Sequence, residues 1–339
     1  MSLNLPSQLL LQQELPEQAL LINPPQDDLA YELPKGWTIA CTSYAVSQSY
    51  QRQEFTLASI TQQPTEKFED IIIYLPKAKA RLSYLVDYAS ACLTQTGQIW
   101  FVGENKGGIK SLSKSLKDQF EQIDKMTSGK HSAIVSAKGA INPKAFDVNN
   151  YYVAQENELG LSLQALPGVF SQEKLDKGTA VLLNNLPRKI KGRILDFGCG
   201  AGSIATYISQ HREYEELELI DDDILAIHSA QKNIEDNKTP LAEAFLSNGF
   251  EKMEERYNWI VSNPPFHQGI KTDYNVTEAF LKEAKEHLKL SGKLLLVANE
   301  FLNYEVILRN HFRTVSEVKK ENGFKVILCE GIKRLKAGA

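Results

Sequence analysis

The chain has 339 residues, 42% hydrophobic and 24% charged, with a formal net charge of −4. That length and balance can bury a sizeable core and favour two soluble globular domains. No apolar run approaches the roughly 20 residues of a membrane span. The opening MSLNLPSQLLLQQELPEQ lacks a basic-then-apolar leader, so a cytoplasmic protein is expected, and the acidic balance argues against a general nucleic-acid binder. Cys41, Cys92, Cys199 and Cys329 form no Cys-x-x-Cys pair, which points to reduced thiols, no metal site and no disulfide framework.

In the N-terminal half, DIIIYLPK (70–77) reads as a strand closed by a proline hook, and YASACLTQTGQIWFVGEN (88–105) as helix, glycine turn and strand. The first 69 residues hold a single glycine, Gly36, so this half has no Gly-rich loop. From Lys106 to Lys144, eight lysines accompany three acids. Lys106, Lys110, Lys114 and Lys117 recur at helical spacings and suit either a phosphate backbone or a solvated helix face. Periodicity then lapses in GAINPKAFDVNNYY, which places a boundary within residues 140–155 and divides the chain into domains 1–150 and 151–339.

The C-terminal half alternates short apolar strands with amphipathic stretches, the pattern of a doubly wound α/β fold. GRILDF, LELID, WIVSN, KLLLVAN and FKVILCE are its strands, and SIATYISQH, DILAIHSAQKNIEDN and TEAFLKEAKEHLKL its helices. NWIVSNPP followed by EAKEHLKLSGKLLLVANE parallels the two N-terminal segments, with Leu75 standing opposite Asn263, which suggests an internal duplication. A last basic cluster comprises Lys319, Lys320, Lys325, Lys333, Arg334 and Lys336.

Chemistry concentrates in ILDFGCGAGSIATYI. Asp196, Gly198, Gly200 and Gly202 lie between a strand and a helix, where absent side chains let a ligand approach the backbone. The spacing departs from the G-x-G-x-x-G of dinucleotide sites. An aspartate just before the glycines repels a pyrophosphate but suits an ammonium, and Asp221, 25 residues on, suits a ribose diol. An amino acid joined to a nucleoside describes S-adenosylmethionine.

In an open α/β sheet the loop after WIVSN faces the same crevice. There the Asn263 side-chain oxygen and the Pro264 carbonyl offer two acceptors for the hydrogens of a planar aromatic amine, and Phe266 offers a stacking surface. Catalysis is therefore assigned to Asn263, Pro264 and Phe266.

NPPF with DFGCGAG resembles the class I methyltransferases that act on exocyclic or amide nitrogens. LPGVFSQEKLDKGTAVLL, FLSNGF, VANEFLNY, GFKV, IIIYLPKAK and FVGENKGGIKS narrow the resemblance, over residues 70–330, to the bacterial small-subunit (16S) ribosomal RNA guanine-N2 methyltransferases, the RsmC family. The resemblance implies two tandem Rossmann-like methyltransferase domains, the first degenerate and without cofactor. It implies S-adenosylmethionine bound with Asp176, Gly178 and Thr179 near the methionine end, Asp196, Gly198, Gly200 and Gly202 at the loop, Asp221 on the ribose, Asn248 near the adenine, and Asn263. Of Asp221, Asp222 and Asp223, the first directly follows its strand. The implied partner is 16S ribosomal RNA or the small subunit, met by a monomer. Alternatives in the same chemistry are a large-subunit guanine-N2 enzyme, an adenine-N6 enzyme or a release-factor glutamine enzyme; the alternative of another class is a non-enzymatic RNA-binding assembly module.

Overall fold

The computed structural model describes residues 2–264 and 271–333, the side chains of 271–276 excepted. The chain divides into two units at Tyr152/Val153. The first contains α1 (Leu5–Leu10), β1 (Leu20–Ile22), β2 (Thr38–Ala40), α2 (Tyr44–Arg52), β3 (Thr56–Leu57), β4 (Phe68–Tyr74), α3 (Lys79–Cys92), β5 (Leu93–Glu104), α4 (Leu112–Leu116), β6 (Phe120–Gly129) and β7 (Ser132–Ala140). Its sheet runs β3-β2-β1-β4-β5-β7-β6.

The second unit begins with a small ribbon, β8 (Val153–Ala154) and β9 (Gln164–Ala165), followed by α5 (Lys177–Asn184), β10 (Arg193–Phe197), α6 (Ser203–His211), β11 (Glu216–Asp221), α7 (Ile224–Asp236) and β12 (Ala242–Leu246). It continues through β13 (Tyr257–Ser262), α8 (Lys271–Glu283), β14 (Leu288–Asn299), α9 (Tyr304–His311), β15 (Phe312–Glu321) and β16 (Phe324–Ile332). Its sheet runs β12-β11-β10-β13-β14-β16-β15, the same order as the first. The five leading strands are parallel, and only the last two pairings are antiparallel. Both faces of this sheet are covered: Ile194, Val261 and Leu295 pack with Leu182, Ile208 and Ile227 on one side, and Leu195, Ile260 and Leu294 with Phe280, Leu281 and Leu308 on the other. Burial on both faces is why these strands read as continuous apolar runs.

The registers establish the duplication residue by residue. Phe68 pairs with Leu93 and Asp70 with Gln98, across an irregularity; Tyr257 pairs with Leu288 and Trp259 with Lys293, across the same irregularity. Ile73 pairs with Phe101 and Ile22, as Ser262 pairs with Leu296 and Phe197. Tyr74, and not Leu75, therefore occupies the place of Asn263. The offset of one arises because Pro76 reads against Pro264, the first proline of NPPF, whereas the registers place Leu75 opposite Pro264. By the same registers Leu21 stands for Asp196, Asn23 for Gly198 and Cys41 for Asp221.

Two further expectations are corrected, and one strand, β12, had no expectation. TEAFLKEAKEHLKL is not one helix: α8 ends at Glu283, a 3-10 turn covers Ala284–His287, and Leu288 already pairs in β14. β12, AEAFL, is a strand of helix-favouring residues held by its parallel pairing with β11, since tertiary context overrides propensity. Lys106–Lys117 spans two 3-10 turns and the five-residue α4, with Ile109, Leu112 and Leu116 buried and the four lysines exposed.

Gly97 and Gly292 mark the shared bulge. A Cβ on Gly97 would lie 2.8 Å from the Glu69 carbonyl oxygen, and one on Gly292 2.8 Å from the Tyr257 and Lys289 carbonyl oxygens. Because backbone cannot yield, Gly292→Ala is expected to destabilise the protein by about 1–3 kcal/mol or more, the cost of overpacking. Gly97→Ala should cost a comparable amount. Denaturant unfolding measures both, and a neutral Gly292→Ala would contradict this account of the bulge.

Candidate active site at the carboxyl edge of the second sheet

Parallel pairing of β10 with β11 and β13 brings three strand ends to one edge: the Gly loop after Phe197, Asp221, and Asn263 after Ser262. The loop is tied down by backbone. Gly198 and Cys199 N–H groups both donate to the Ile220 carbonyl at 2.9 and 3.0 Å, and the Gly202 N–H donates to the Cys199 carbonyl. Two glycines differ in purpose. Gly198 has φ +69° and nothing within 4 Å of where a Cβ would stand, so its face is open to a ligand. Gly202, at φ +82°, has Leu219 3.1 Å from that point, so its bareness serves helix-on-sheet packing.

Asp196 is fully buried. Its Oδ2 accepts from the Ala205 N–H at 3.2 Å, in the first turn of α6, and its Oδ1 has no partner. Burial pushes its pKa up to about 8; the Ala205 N–H works against this and the neighbouring Asp221 charge adds to it. Asp221 is half-buried, with Oδ2 accepting from the Gly200 N–H and Oδ1 from the Asp223 N–H, each at 2.9 Å. Its pKa is raised to about 6, by burial first and then by Asp223. An orphaned buried acid oxygen and a second carboxylate with lone pairs to spare form a site that suits a cation and a pair of hydroxyl donors. Cys199, inside the loop, is buried and its thiol is pushed far above the ordinary range, mainly by burial, so it packs rather than attacks.

Asn263 donates from Nδ2 to Asp176 Oδ2 at 3.0 Å and to Thr179 Oγ1 at 2.7 Å. Asp176 is the N-cap of α5 and also accepts from the Thr179 N–H at 2.9 Å. The segment before the Gly loop and the proline hook are thus joined through side chains. The sequence had assigned Asp176 and Thr179 to the ligand alone and offered no sign of this contact. Gly178 has another reason to be bare: a Cβ there would lie 2.9 Å from the Phe324 ring.

Asn248 is exposed and lines a cleft of about 490 Å³ walled by Phe197, Phe250, Phe280 and His287. Pro264, two residues beyond the end of β13, is buried, and Phe266 lies outside the described residues. Phe170, 57% exposed, was not anticipated; its carbonyl oxygen lies 3.8 Å from the Cβ position of Gly200. Among the described residues no cluster of three or more His, Cys, Asp or Glu could hold a metal ion, and no helix is long and apolar enough to cross a membrane.

Residues 160–328 match the family model "Methyltransferase small domain", and residues 7–154 match "Methyltransferase small domain N-terminal". The chain is 40% identical over 266 residues to the ribosomal RNA small subunit methyltransferase C of Psychromonas ingrahamii, spanning 78% of this chain and 76% of that one. It is 36% identical over 327 residues to the protein of the same name from Acinetobacter baylyi, spanning 94% and 96%. Among solved structures it is similar to a T. thermophilus 16S rRNA N2 methyltransferase (RsmC) in complex with AdoMet and guanosine, with a TM-score of 0.84 and 25% identity over 96% of this chain and 91% of that one.

The raised pKa of Asp196 has a measurable consequence. Its carboxyl ionises near 8 when folded against 3.8 ordinarily, so the folded state holds the extra proton across that window. Stability of the ligand-free protein should therefore fall as pH rises from about 4 to 8. Asp196→Asn keeps the shape and removes the titration, so its melting temperature should gain on wild type across the window. Parallel curves for the two proteins would show that Asp196 is ionised throughout.

Proposed function

We propose, from the premise that the chain belongs to the ribosomal RNA small subunit methyltransferase C family, that its second unit methylates the N2 amine of one guanine in 16S ribosomal RNA. S-adenosylmethionine is the methyl donor, and N2-methylguanosine and S-adenosylhomocysteine are the products. The observation that carries this reading is the meeting of the open Gly loop and Asn263 at adjacent ends of β10 and β13.

The residues present fit S-adenosylmethionine. Asp196 Oδ1 is an unpaired buried acceptor for its ammonium, Asp221 has capacity for the ribose hydroxyls, Gly198 leaves room for its chain, and Asn248 stands at an aromatic cleft suited to adenine. When bound, it supplies an electrophilic sulfonium methyl. The protein prepares the nucleophile. The guanine amine is planar because its lone pair is delocalised into the ring, and acceptors on both hydrogens turn electron density back to nitrogen. Asn263 Oδ1 and the Pro264 carbonyl are those acceptors, and Phe266 stacks on the base. A paired guanine has to leave its stack to reach them.

Phosphates are held by the first unit, where Lys106, Lys110, Lys114 and Lys117 are exposed and have no acid partner among the described residues. The C-terminal lysines are less available: Lys320 pairs with Glu300 at 2.7 Å, Lys325 with Glu305 at 2.6 Å, and Lys319 with Glu321 at 3.7 Å. Arg334 and Lys336 lie outside the described residues. The first unit binds no cofactor in this reading. A 3-10 turn replaces the loop and helix, and the Asn23 side chain occupies the crevice, accepting from Thr42 Oγ1 at 2.6 Å and donating to the Tyr74 carbonyl at 2.8 Å. The enzyme acts as a cytoplasmic monomer.

Labelled S-adenosylmethionine should transfer its methyl group to a guanine of small-subunit RNA taken from cells lacking the gene, located by mass mapping. Asn263→Ala should slow single-turnover transfer by roughly a hundredfold, the scale of losing one preorganised electrostatic contact, with little change in RNA or cofactor affinity. Label appearing on large-subunit RNA alone, or on adenine, would overturn the assignment. Calorimetry should count one S-adenosylmethionine per chain; two equivalent sites would refute a degenerate first unit.

A further inference from the structure

We infer that Asp176 and Thr179 are positioning residues for catalysis, which hold the Asn263 amide with its carbonyl oxygen toward the target amine. The inference rests on the function proposed above and deepens it. An asparagine amide has two nearly isosteric ends of opposite polarity, and only one can accept a hydrogen from the substrate. Reversed, it would present N–H groups to the amine hydrogens and repel them.

The polarity is settled by chemistry on the protein side. Asp176, when ionised, can only accept, so the amide group that meets its Oδ2 at 3.0 Å must be the NH2. The second amide hydrogen goes to Thr179 Oγ1 at 2.7 Å, and the Thr179 hydroxyl in turn faces the same carboxylate oxygen at 3.4 Å. Both Nδ2 hydrogens are thereby committed, and the group left over is the acceptor. Asp176 is itself held: its N–H donates to Ser171 Oγ at 3.1 Å, and its carboxylate caps α5 through the Thr179 N–H. A helix start, rigid because it is capped, becomes the reference against which the amide is oriented.

The first unit supplies a control within the same chain. Its helix α1 is capped by Asn4, whose Oδ1 accepts from the Ser7 N–H, as Asp176 accepts from Thr179. Ser7 Oγ lies 3.0 Å from the hydroxyl of Tyr74, the residue at the place of Asn263. The tie between helix cap and strand end is common to both units, so it has a structural component. What belongs to the second unit alone is an amide with two distinct ends, set by an acceptor-only partner. Two hydroxyls, each able to donate or accept, enforce no such polarity.

The test separates orientation from structure and from cofactor binding. Single-turnover methyl transfer is measured with saturating S-adenosylmethionine, on small-subunit RNA supplied both naked and as assembled subunits. Thr179→Val removes the hydroxyl at constant shape. Asp176→Ser keeps a good N-cap but is too short to reach Asn263. Each should lower the rate at saturating S-adenosylmethionine about tenfold, the order expected for one lost hydrogen bond, whatever the change in its dissociation constant. Thr179→Ser should recover the rate that Thr179→Val loses. In an Asn263→Ala background neither substitution should slow the reaction further, because there is no amide left to orient.

Additive losses in that background would overturn the inference. Wild-type rates in Thr179→Val and Asp176→Ser with a slow Asn263→Ala would sink the positioning role and leave the proposed function intact. A wild-type rate in Asn263→Ala itself would remove the catalytic asparagine on which both depend.

Discussion

The second unit depends on the parallel pairing of β10 between β11 and β13. Parallel neighbours end on the same side, so every loop that leaves a carboxyl end enters one crevice. Ile220 shows how tightly this is enforced: its carbonyl receives two consecutive N–H groups of the Gly loop, so the loop cannot lift without exposing both. Asp221 then returns across the gap to the Gly200 N–H, and its own carbonyl accepts from Ser247 at the start of the segment that carries Asn248. The ligand-facing groups are thus a continuation of the sheet's hydrogen bonding. Their precision comes from strands buried on both faces.

The same register in the first unit shows what converts such a crevice into packing. Leu21 in the place of Asp196 removes the buried charge, Cys41 removes the acid at the end of the second strand, and Asn23 adopts the left-handed φ of 56° that a glycine holds elsewhere while filling the space with an amide. The Asn23 N–H still donates to the Ala40 carbonyl at 2.8 Å, as that of Gly198 does to Ile220. Backbone architecture survives because it is held by main-chain hydrogen bonds that no substitution touches. What differs between the units lies in side chains, where Leu21, Asn23 and Cys41 stand at the places of Asp196, Gly198 and Asp221.

Two carboxylates, Asp196 and Asp221, are held in one desolvated corner; burial raises both pKa values, and the Asp221 charge raises that of Asp196 further. In a protein selected only for stability such an arrangement has no reason to persist, since an apolar pair would pack there without penalty. The cationic ligand proposed for this site would reverse the balance by giving the orphaned Oδ1 of Asp196 a partner. Asn263 follows the opposite strategy. Both of its amide hydrogens are satisfied within the protein, so in the proposed reaction its orientation is set before substrate arrives.

Local pattern alone was enough for the strand–loop–helix around DFGCGAG, the acid at the end of the next strand and the proline-stopped strand before NPPF, and it suggested the duplicated half that the two identical sheet orders show. Each is written in contiguous residues: glycines at a turn, apolar runs of strand length, prolines that cannot continue a ladder. Tertiary structure decided what depends on partners distant in the chain. β12 is a strand because β11 lies beside it, and Leu288 leaves its helix because Tyr257 pairs with it. The strand pairings place Tyr74 at the position of Asn263, one residue from where the proline pattern alone puts it. Lys319, Lys320 and Lys325 read as free charge until Glu321, Glu300 and Glu305 came within reach. The contact of Asn263 with Asp176 and Thr179 spans 87 and 84 residues, and no periodicity records it, because a hydrogen bond between loop ends leaves no trace in either segment alone.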